Sequence, residues 1–179
     1  MIQRIQTVYL ALAIIFLALC LFFPIATYVA PIQSTQQTVS ARLDVFPHSV
    51  VAAGTDMGEV YETIYAQQKG FIKTWPLVVL LFATMALAAT CIFLYHNRVL
   101  QMRLVTVASL LGVIYIFLIF IWAVDAFAKA FAAPYGADNP VVTYALGTWA
   151  PIAAVALMIL AQRAIRKDEM KVRAADRLR

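Results

Sequence analysis

The chain has 179 residues, 64% of them hydrophobic and only 13% charged, with a mean hydropathy of +0.84. Soluble domains lie near about 45–50% apolar and about 25% charged, so this composition excludes both an ordinary water-soluble globule and a disordered chain and indicates an integral membrane protein. The net charge of +5 is a partner signal only once it has been sorted by side of the membrane, and the length holds four crossings and one modest loop but no second domain of ordinary size.

Met1-Ile2-Gln3-Arg4 precedes a run from Ile5 to Ala30 without a charged side chain. The run predicts a first membrane helix over residues 5–29. A cleaved signal peptide would begin the same way, but its cleavage chemistry is missing. Leu19 stands before Cys20 where a lipoprotein box needs a small residue, Tyr28 fills the small position of Tyr28-Val29-Ala30, and Pro31 follows the would-be cut. Pro24 is expected to kink or end the helix near the outer surface.

Residues 31–73 change to Gln, Ser, Thr and Gly with scattered charge and form the one sizeable polar segment. Val39, Ala41, Leu43 and Val45 alternate with Ser40, Arg42, Asp44 and Phe46, which predicts a strand near 39–46 stopped by Pro47. Val60 to Tyr65 predicts a second strand near 60–65, and Gly54 and Gly58 a loop tip between them. So small a sheet is expected to lean on helix ends or on a partner protein.

The stretch from Trp75 to Val124 is a helical hairpin: Trp75 to Tyr95 and Leu104 to Val124 are each uncharged, about 21 residues at roughly 1.5 Å rise, enough for a ~30 Å hydrocarbon core. We assign spans to 74–96 and 104–127, with an inner loop at 96–103. Thr74 can cap the second helix, Trp75 suits interfacial depth, and Pro76 sits where a missing donor is harmless. Thr84, Ala86, Ala88, Ala89 and Thr90 in one helix, and Ala108, Ser109 and Gly112 in the next, supply small side chains for close helix approach, either within the bundle or at a homodimer seam. Ala86, Thr90, Ala108 and Gly112 are the candidate packing residues. Asp125 and Lys129, four apart, suggest that the third helix runs on briefly past the membrane.

An outer loop follows at 128–142, with a turn in Pro134 to Pro140. Pro151 to Ala161 alone would rise only about 16 Å, so the fourth span must begin upstream, near Val142 or Tyr144, and is placed at 143–163. Pro151 then falls inside or near its first turns, as a hinge or a packing feature. Residues 164–179 contain no Gly or Pro and are expected to extend this helix into water as a basic tail, with a thin apolar stripe of Ile165, Val172 and Ala175.

Charge sets the orientation. With both termini and the 96–103 loop inside, the inner side carries Arg4, Arg98, Arg103, Arg163, Arg166, Lys167, Lys171, Arg173, Arg177 and Arg179, whereas the outer side carries Arg42, Lys69, Lys73 and Lys129. Six of the nine acids fall outside, giving faces of +7 and −2. The basicity is therefore mainly a topology signal. Arg166, Lys167, Lys171, Arg173, Arg177 and Arg179 are the candidate contacts for the anionic inner leaflet or a partner, and lipid accounts for them better than nucleic acid.

Candidate chemistry is sparse. Cys20 and Cys91 fall roughly 15 Å apart in depth, too far for a disulfide, and read as small apolar packing residues. His48 and His96 lie off the spans, so no haem pair or metal ligand set can be assembled, and no acid or base lies at depth to mark an ion path. Tyr9, Tyr115 and other aromatics could line a lipid or quinone pocket. His48, Asp56, Glu59 and Glu62 could converge as an enzyme site only in ways that spacing does not show.

Met1-Ile2-Gln3-Arg4-Ile5-Gln6-Thr7-Val8-Tyr9, Leu21-Phe22-Phe23-Pro24 and the tail from Arg166 to Glu169 and Val172 to Arg179 resemble an uncharacterised four-span family of the Bacteroidetes group, catalogued as a domain of unknown function. The resemblance covers the whole length. It implies a bacterial inner-membrane location and supplies no activity or site residues. In layout alone the chain is also similar to claudin-like tetraspans, without the tryptophan and paired-cysteine signature of their first loop.

The expected fold is an all-α, four-helix membrane bundle with a small β-containing outer loop and a cytoplasmic C-terminal helix. The expected function is that of a non-enzymatic accessory or assembly subunit of a membrane complex, without a cofactor. Its expected partners are membrane lipids and a membrane protein or further copies of itself. The alternative is a binder or carrier of lipid or quinone.

Overall fold

The computed structural model describes residues 3–31, 38–46, 74–94, 97–132 and 140–177. Within them the chain forms α1 (Gln3–Phe22), β1 (Ala26–Pro31), β2 (Thr38–Leu43), α2 (Trp75–Phe93), α3 (Arg98–Leu118), a π-helical segment (Ile119–Ala123), α4 (Val124–Ala132), β3 (Val141–Tyr144) and α5 (Leu146–Arg177). Four helical stretches are long and apolar enough to cross a membrane: Ile5–Phe22, Trp75–Phe93, Arg98–Lys129 and Leu146–Val172.

Residues 1–18, 79–115 and 150–179 make one compact unit. Its buried positions recur at alternating three- and four-residue steps along each helix: Gln6, Leu10, Ala13 and Leu17 in α1; Leu81, Thr84, Ala88 and Cys91 in α2; Gln101, Val105, Ala108, Gly112 and Tyr115 in α3; Ala154, Met158, Ala161, Ile165 and Asp168 in α5. This is the heptad seam of helices that pack side by side at a shallow angle. The outward faces carry Ile5, Val8, Leu12 and Ile15, Val79 and Phe82, Val107, Leu110 and Ile114, all exposed. A unit that exposes Ile, Leu, Val and Phe while burying Gln, Thr, Ser and Asp has the polarity expected where the solvent for the outer face is lipid.

The heptad divides the candidate packing residues. Ala108 and Gly112 are buried, but Ala86 and Thr90 lie on the exposed face of α2. Ala86 falls two residues from both Thr84 and Ala88, about 200° around the helix, so the small residues of α2 do not form a single seam. Thr90 turns its hydroxyl back to donate to the Ala86 carbonyl at 2.7 Å. At Gly112 side chains of α5 come close: a Cβ there would stand 2.7 Å from Val155 Cγ2 and 3.3 Å from Met158 Cε. Gly112→Ala should therefore cost about 1–3 kcal/mol by overpacking. Adding Val155→Ala should return part of that loss, because the stiff β-branched neighbour is the obstacle. Denaturation of the four variants in detergent, as a double-mutant cycle, measures the coupling.

Residues 19–78 and 116–149 make the second unit. α1 stops at Phe22, short of residue 29, because Pro24 cannot continue the hydrogen-bond ladder and disfavours helix in the residue before it. The next residues are strand: β1 is the centre of a three-stranded sheet of order β2-β1-β3, antiparallel on both sides. Tyr28 lies opposite Ala41 and Val142, and Ala26 opposite Leu43 and Tyr144. Ala26, Tyr28, Ala41, Leu43 and Val45 are buried, so alternate positions from Ala41 to Val45 face inward, with β2 itself ending at Leu43. The Tyr28 ring packs against Phe127 at 4.7 Å, and its hydroxyl donates to the Val124 carbonyl at 3.1 Å. Burial, reinforced by Tyr144 and Asp125, raises the Tyr28 phenol well above its ordinary value, so this donor stays protonated. Beside it, Arg42 pairs with Asp44 at 2.8 Å.

The strand expected near 60–65 and the loop tip at Gly54 and Gly58 lie outside the described residues. The observed partner of β2 is β1, from the end of the first apolar run, and the other edge of β1 pairs with residues 141–144, of which the span at 143–163 had assigned Thr143 and Tyr144 to helix. α5 begins only at Leu146, and Pro151 lies inside it. The third crossing is continuous from Arg98 to Ala132, with one π turn in which the Val124 amide donates to the Ile119 carbonyl. Asp125 and Lys129 pair at 2.8 Å on its exposed surface.

The junction between Phe23 and Thr148 organises this unit. Ile25 donates its amide to the Leu43 carbonyl at 2.8 Å and accepts from Ala145 at 2.9 Å, while the Gly147 amide donates to the Pro24 carbonyl at 2.9 Å. The Thr148 hydroxyl donates to the Ile25 carbonyl at 2.6 Å. Amides from the first turn of α5 are thus satisfied by carbonyls just past the end of α1, a pairing that also sets opposite helix-dipole ends together.

Candidate functional site

Side-chain hydrogen bonds link helices of the first unit. The Gln6 side-chain amide donates to Asp168 Oδ2 at 2.5 Å, with both residues buried. The Gln101 amide donates to the Cys91 carbonyl at 2.9 Å, and the Cys91 thiol approaches the Gln101 carbonyl at 3.9 Å, so the α2–α3 hairpin is pinned from both sides. Gln162 reaches the Thr106 hydroxyl at 2.7 Å. Thr106 donates to Met102 and Ser109 to Thr106, each at 2.8 Å. The Gln6–Asp168, Gln101–Cys91 and Gln162–Thr106 bonds join different helices on or beside the packed seam, the arrangement that fixes register between helices, whereas the Thr106 and Ser109 bonds to carbonyls stay within α3.

Sequence spacing treats Asp168 as part of a solvated tail. The structure instead buries it, together with Ile165, so α5 remains packed against its neighbours to that point. The signal for this was available in the spacing Met158, Ala161, Ile165, Asp168, which continues the seam by four and three. Outside the seam, the face of α5 changes character within one turn. Trp149, Ile152, Ile159 and Leu160 are exposed and apolar; Arg163, Arg166, Lys167 and Lys171 are exposed and basic, with Met170 and Val172 among them. Arg166, Lys167 and Lys171 are therefore displayed as the charge pattern implies. Arg173 and Arg177 fall within the helix, whereas Arg179, His48, Asp56, Glu59, Glu62 and His96 lie outside the described residues. Tyr115 is buried and Tyr9 half-buried. Cys20 and Cys91 are both buried, and neither is in a disulfide.

The family described as a domain of unknown function, DUF4293, matches residues 2–178. The chain belongs to that family. No curated protein matches it. In this DUF4293 chain, the described residues include no group of three or more His, Cys, Asp or Glu side chains placed to hold a metal ion. What the DUF4293 fold displays at this end is a helix whose inner face is fixed by hydrogen bonds and whose outer face is an apolar-to-basic surface.

Proposed function

We propose that the chain is a multi-pass protein of a bacterial cytoplasmic membrane, of the Bacteroidetes group, serving as a non-enzymatic accessory or assembly subunit of a membrane complex. In this reading both termini and the turn before α3 are cytoplasmic, and residues 31–73 face the periplasm. The skew of Lys and Arg toward the termini and that turn supports the orientation. Four spans with strands in the first outer segment fit a claudin-like layout.

The observation that carries the reading is the double character of α5. Its seam-facing side is held by Asp168 and Gln162, while Arg163, Arg166, Lys167 and Lys171 stand exposed. A basic, partly apolar face suits an acidic segment of a partner, and anionic headgroups of the inner leaflet are its other expected contact.

Purification from the host in mild detergent after crosslinking tests the proposal. A reproducible partner should be recovered, and the triple variant Arg163→Gln, Arg166→Gln, Lys167→Gln should lower its yield about tenfold while the protein stays folded. A clean monomer without a recurring partner would contradict the accessory role.

A further inference from the structure

α3 and α5 run antiparallel where they pack. Gly112 lies beside Val155 and Met158, and earlier in α3 the Thr106 hydroxyl accepts at 2.7 Å from the side-chain amide of Gln162, later in α5. Charge enters both helices at the level of that bond. The uncharged run of α3 begins at Leu104 and that of α5 ends at Gln162, so Thr106 and Gln162 mark the edge of the apolar slab on two helices at once.

Residues three or four apart share a helix face. One such step from Thr106 and Gln162 toward the charged ends reaches Arg103 and Arg166, and one step the other way reaches Leu110 and Ile159. All four are exposed. The outer side of the α3–α5 contact therefore carries three level pairs in order: two arginines, a hydrogen-bonded Thr and Gln, and two aliphatic side chains. Each step rises about 4.5–6 Å. The headgroup region on one side of a bilayer is about 5–7 Å deep, so the arginines reach phosphate depth when the aliphatic pair meets hydrocarbon.

Among the described residues neither arginine forms an ion pair, Glu169 one turn beyond Arg166 included. A lone surface arginine needs only the general field of an anionic leaflet, but two from neighbouring helices at one level match the oxygens of a single phosphate, which the planar guanidinium takes in bidentate fashion. Thr106 gives its own proton to the Met102 carbonyl at 2.8 Å. The second amide hydrogen of Gln162 is left for an ester oxygen. We propose that these three pairs form a site for one anionic phospholipid, with its phosphate between Arg103 and Arg166, its ester groups beside Gln162 and its acyl chains along Leu110 and Ile159. The occupant is a lipid rather than free phosphate because the charged pair continues directly into exposed apolar surface. The site depends on the headgroup contact assigned above to this end of α5 and not on a protein partner.

The test uses the full chain in nanodiscs of equal phosphatidylglycerol and phosphatidylcholine, released into a native mass spectrometer. One phosphatidylglycerol should be retained several-fold more often than phosphatidylcholine. Arg103→Gln with Arg166→Gln should bring the two lipids to equal retention, whereas Lys167→Gln with Lys171→Gln, which removes the same charge from another face of α5, should keep the preference. Millimolar inorganic phosphate should not displace the lipid. If the arginine variant does not fold, the wild type still decides: phosphatidylglycerol with a diazirine high in its acyl chain should label Leu110 and Ile159 above Val8 and Phe93, which are also exposed on this unit. Equal retention of both lipids by the wild type, or uniform labelling, would overturn the proposal. So would an equal loss of preference in the lysine variant, which would mean that diffuse charge holds the lipid, or displacement by phosphate, which would make the site one for the free anion. None of these outcomes depends on recovery of a partner, so the lipid site and the accessory role fail separately.

Discussion

Gly147→Ala is expected to lower stability by about 2–4 kcal/mol, more than Gly112→Ala. The added Cβ would stand 2.5 Å from the Pro24 oxygen, 2.7 Å from the Phe23 oxygen and 2.8 Å from the Pro24 carbonyl carbon. All three are backbone atoms, so no rotamer change relieves the contact. At Gly112 the nearest atoms are side-chain carbons, which can give way. Moving Gly147 aside also stretches its amide bond to the Pro24 carbonyl and disturbs the neighbouring Thr148 hydroxyl bond. Alanine is the better helix former by up to about 1 kcal/mol, but that gain is too small to offset the clash. Unfolding in mixed micelles with increasing dodecyl sulfate measures the difference; a midpoint unchanged from wild type would show that the α1 and α5 ends do not approach in this way.

The second large effect is expected at Gln6 and Asp168. Gln6→Leu removes the donor that faces a buried carboxylate and should cost about 1.5–3 kcal/mol, the range for a hydrogen bond to a charged group. Asp168→Leu alone leaves the Gln6 amide without its acceptor and should cost about 1–3 kcal/mol. The double variant, with two apolar side chains at seam positions, should recover much of the loss, giving a coupling of about 1–2 kcal/mol. A limited-proteolysis readout separates this from a general weakening: Gln6→Leu should expose the chain beyond Ile165 to cleavage before the rest. Strictly additive single losses would mean that the pair does not hold the tail.

The four crossings are legible because charge-free runs of sufficient length have few alternative uses. Which face of each helix turns inward is harder to read, since apolar side chains occur all round. Small side chains alone do not tell which face turns inward: Ala86 and Thr90 face outward, whereas Ala108 and Gly112 are buried. The polar residues are the better guide, because Gln6, Thr84, Gln101, Gln162 and Asp168 all lie on or beside the seam where partners can satisfy them. β2 is legible through its strict alternation. β1 is not, because Ala26 to Pro31 continues the apolar run of the first helix without a charge, and only Pro24 signals the change. β3 is hidden by the length argument, which starts the fourth span at residue 143 and so assigns Thr143 and Tyr144 to helix, although Val141, Val142 and Thr143 form a β-branched run. That Arg166, Lys167 and Lys171 are candidate contacts is read from charge alone, whereas the burial of Asp168 against Gln6 needs the packed structure.

Site-directed cysteine labelling in intact cells tests the central claim most directly, and the burial of Cys20 and Cys91 keeps the background low. With a membrane-impermeant maleimide, Arg42→Cys and Lys129→Cys should react, while Arg98→Cys, Arg166→Cys and Lys171→Cys should react only after lysis. Labelling of position 166 or 171 in unbroken cells, or protection of position 129 until lysis, would contradict the four-crossing topology and the roles assigned to its two ends.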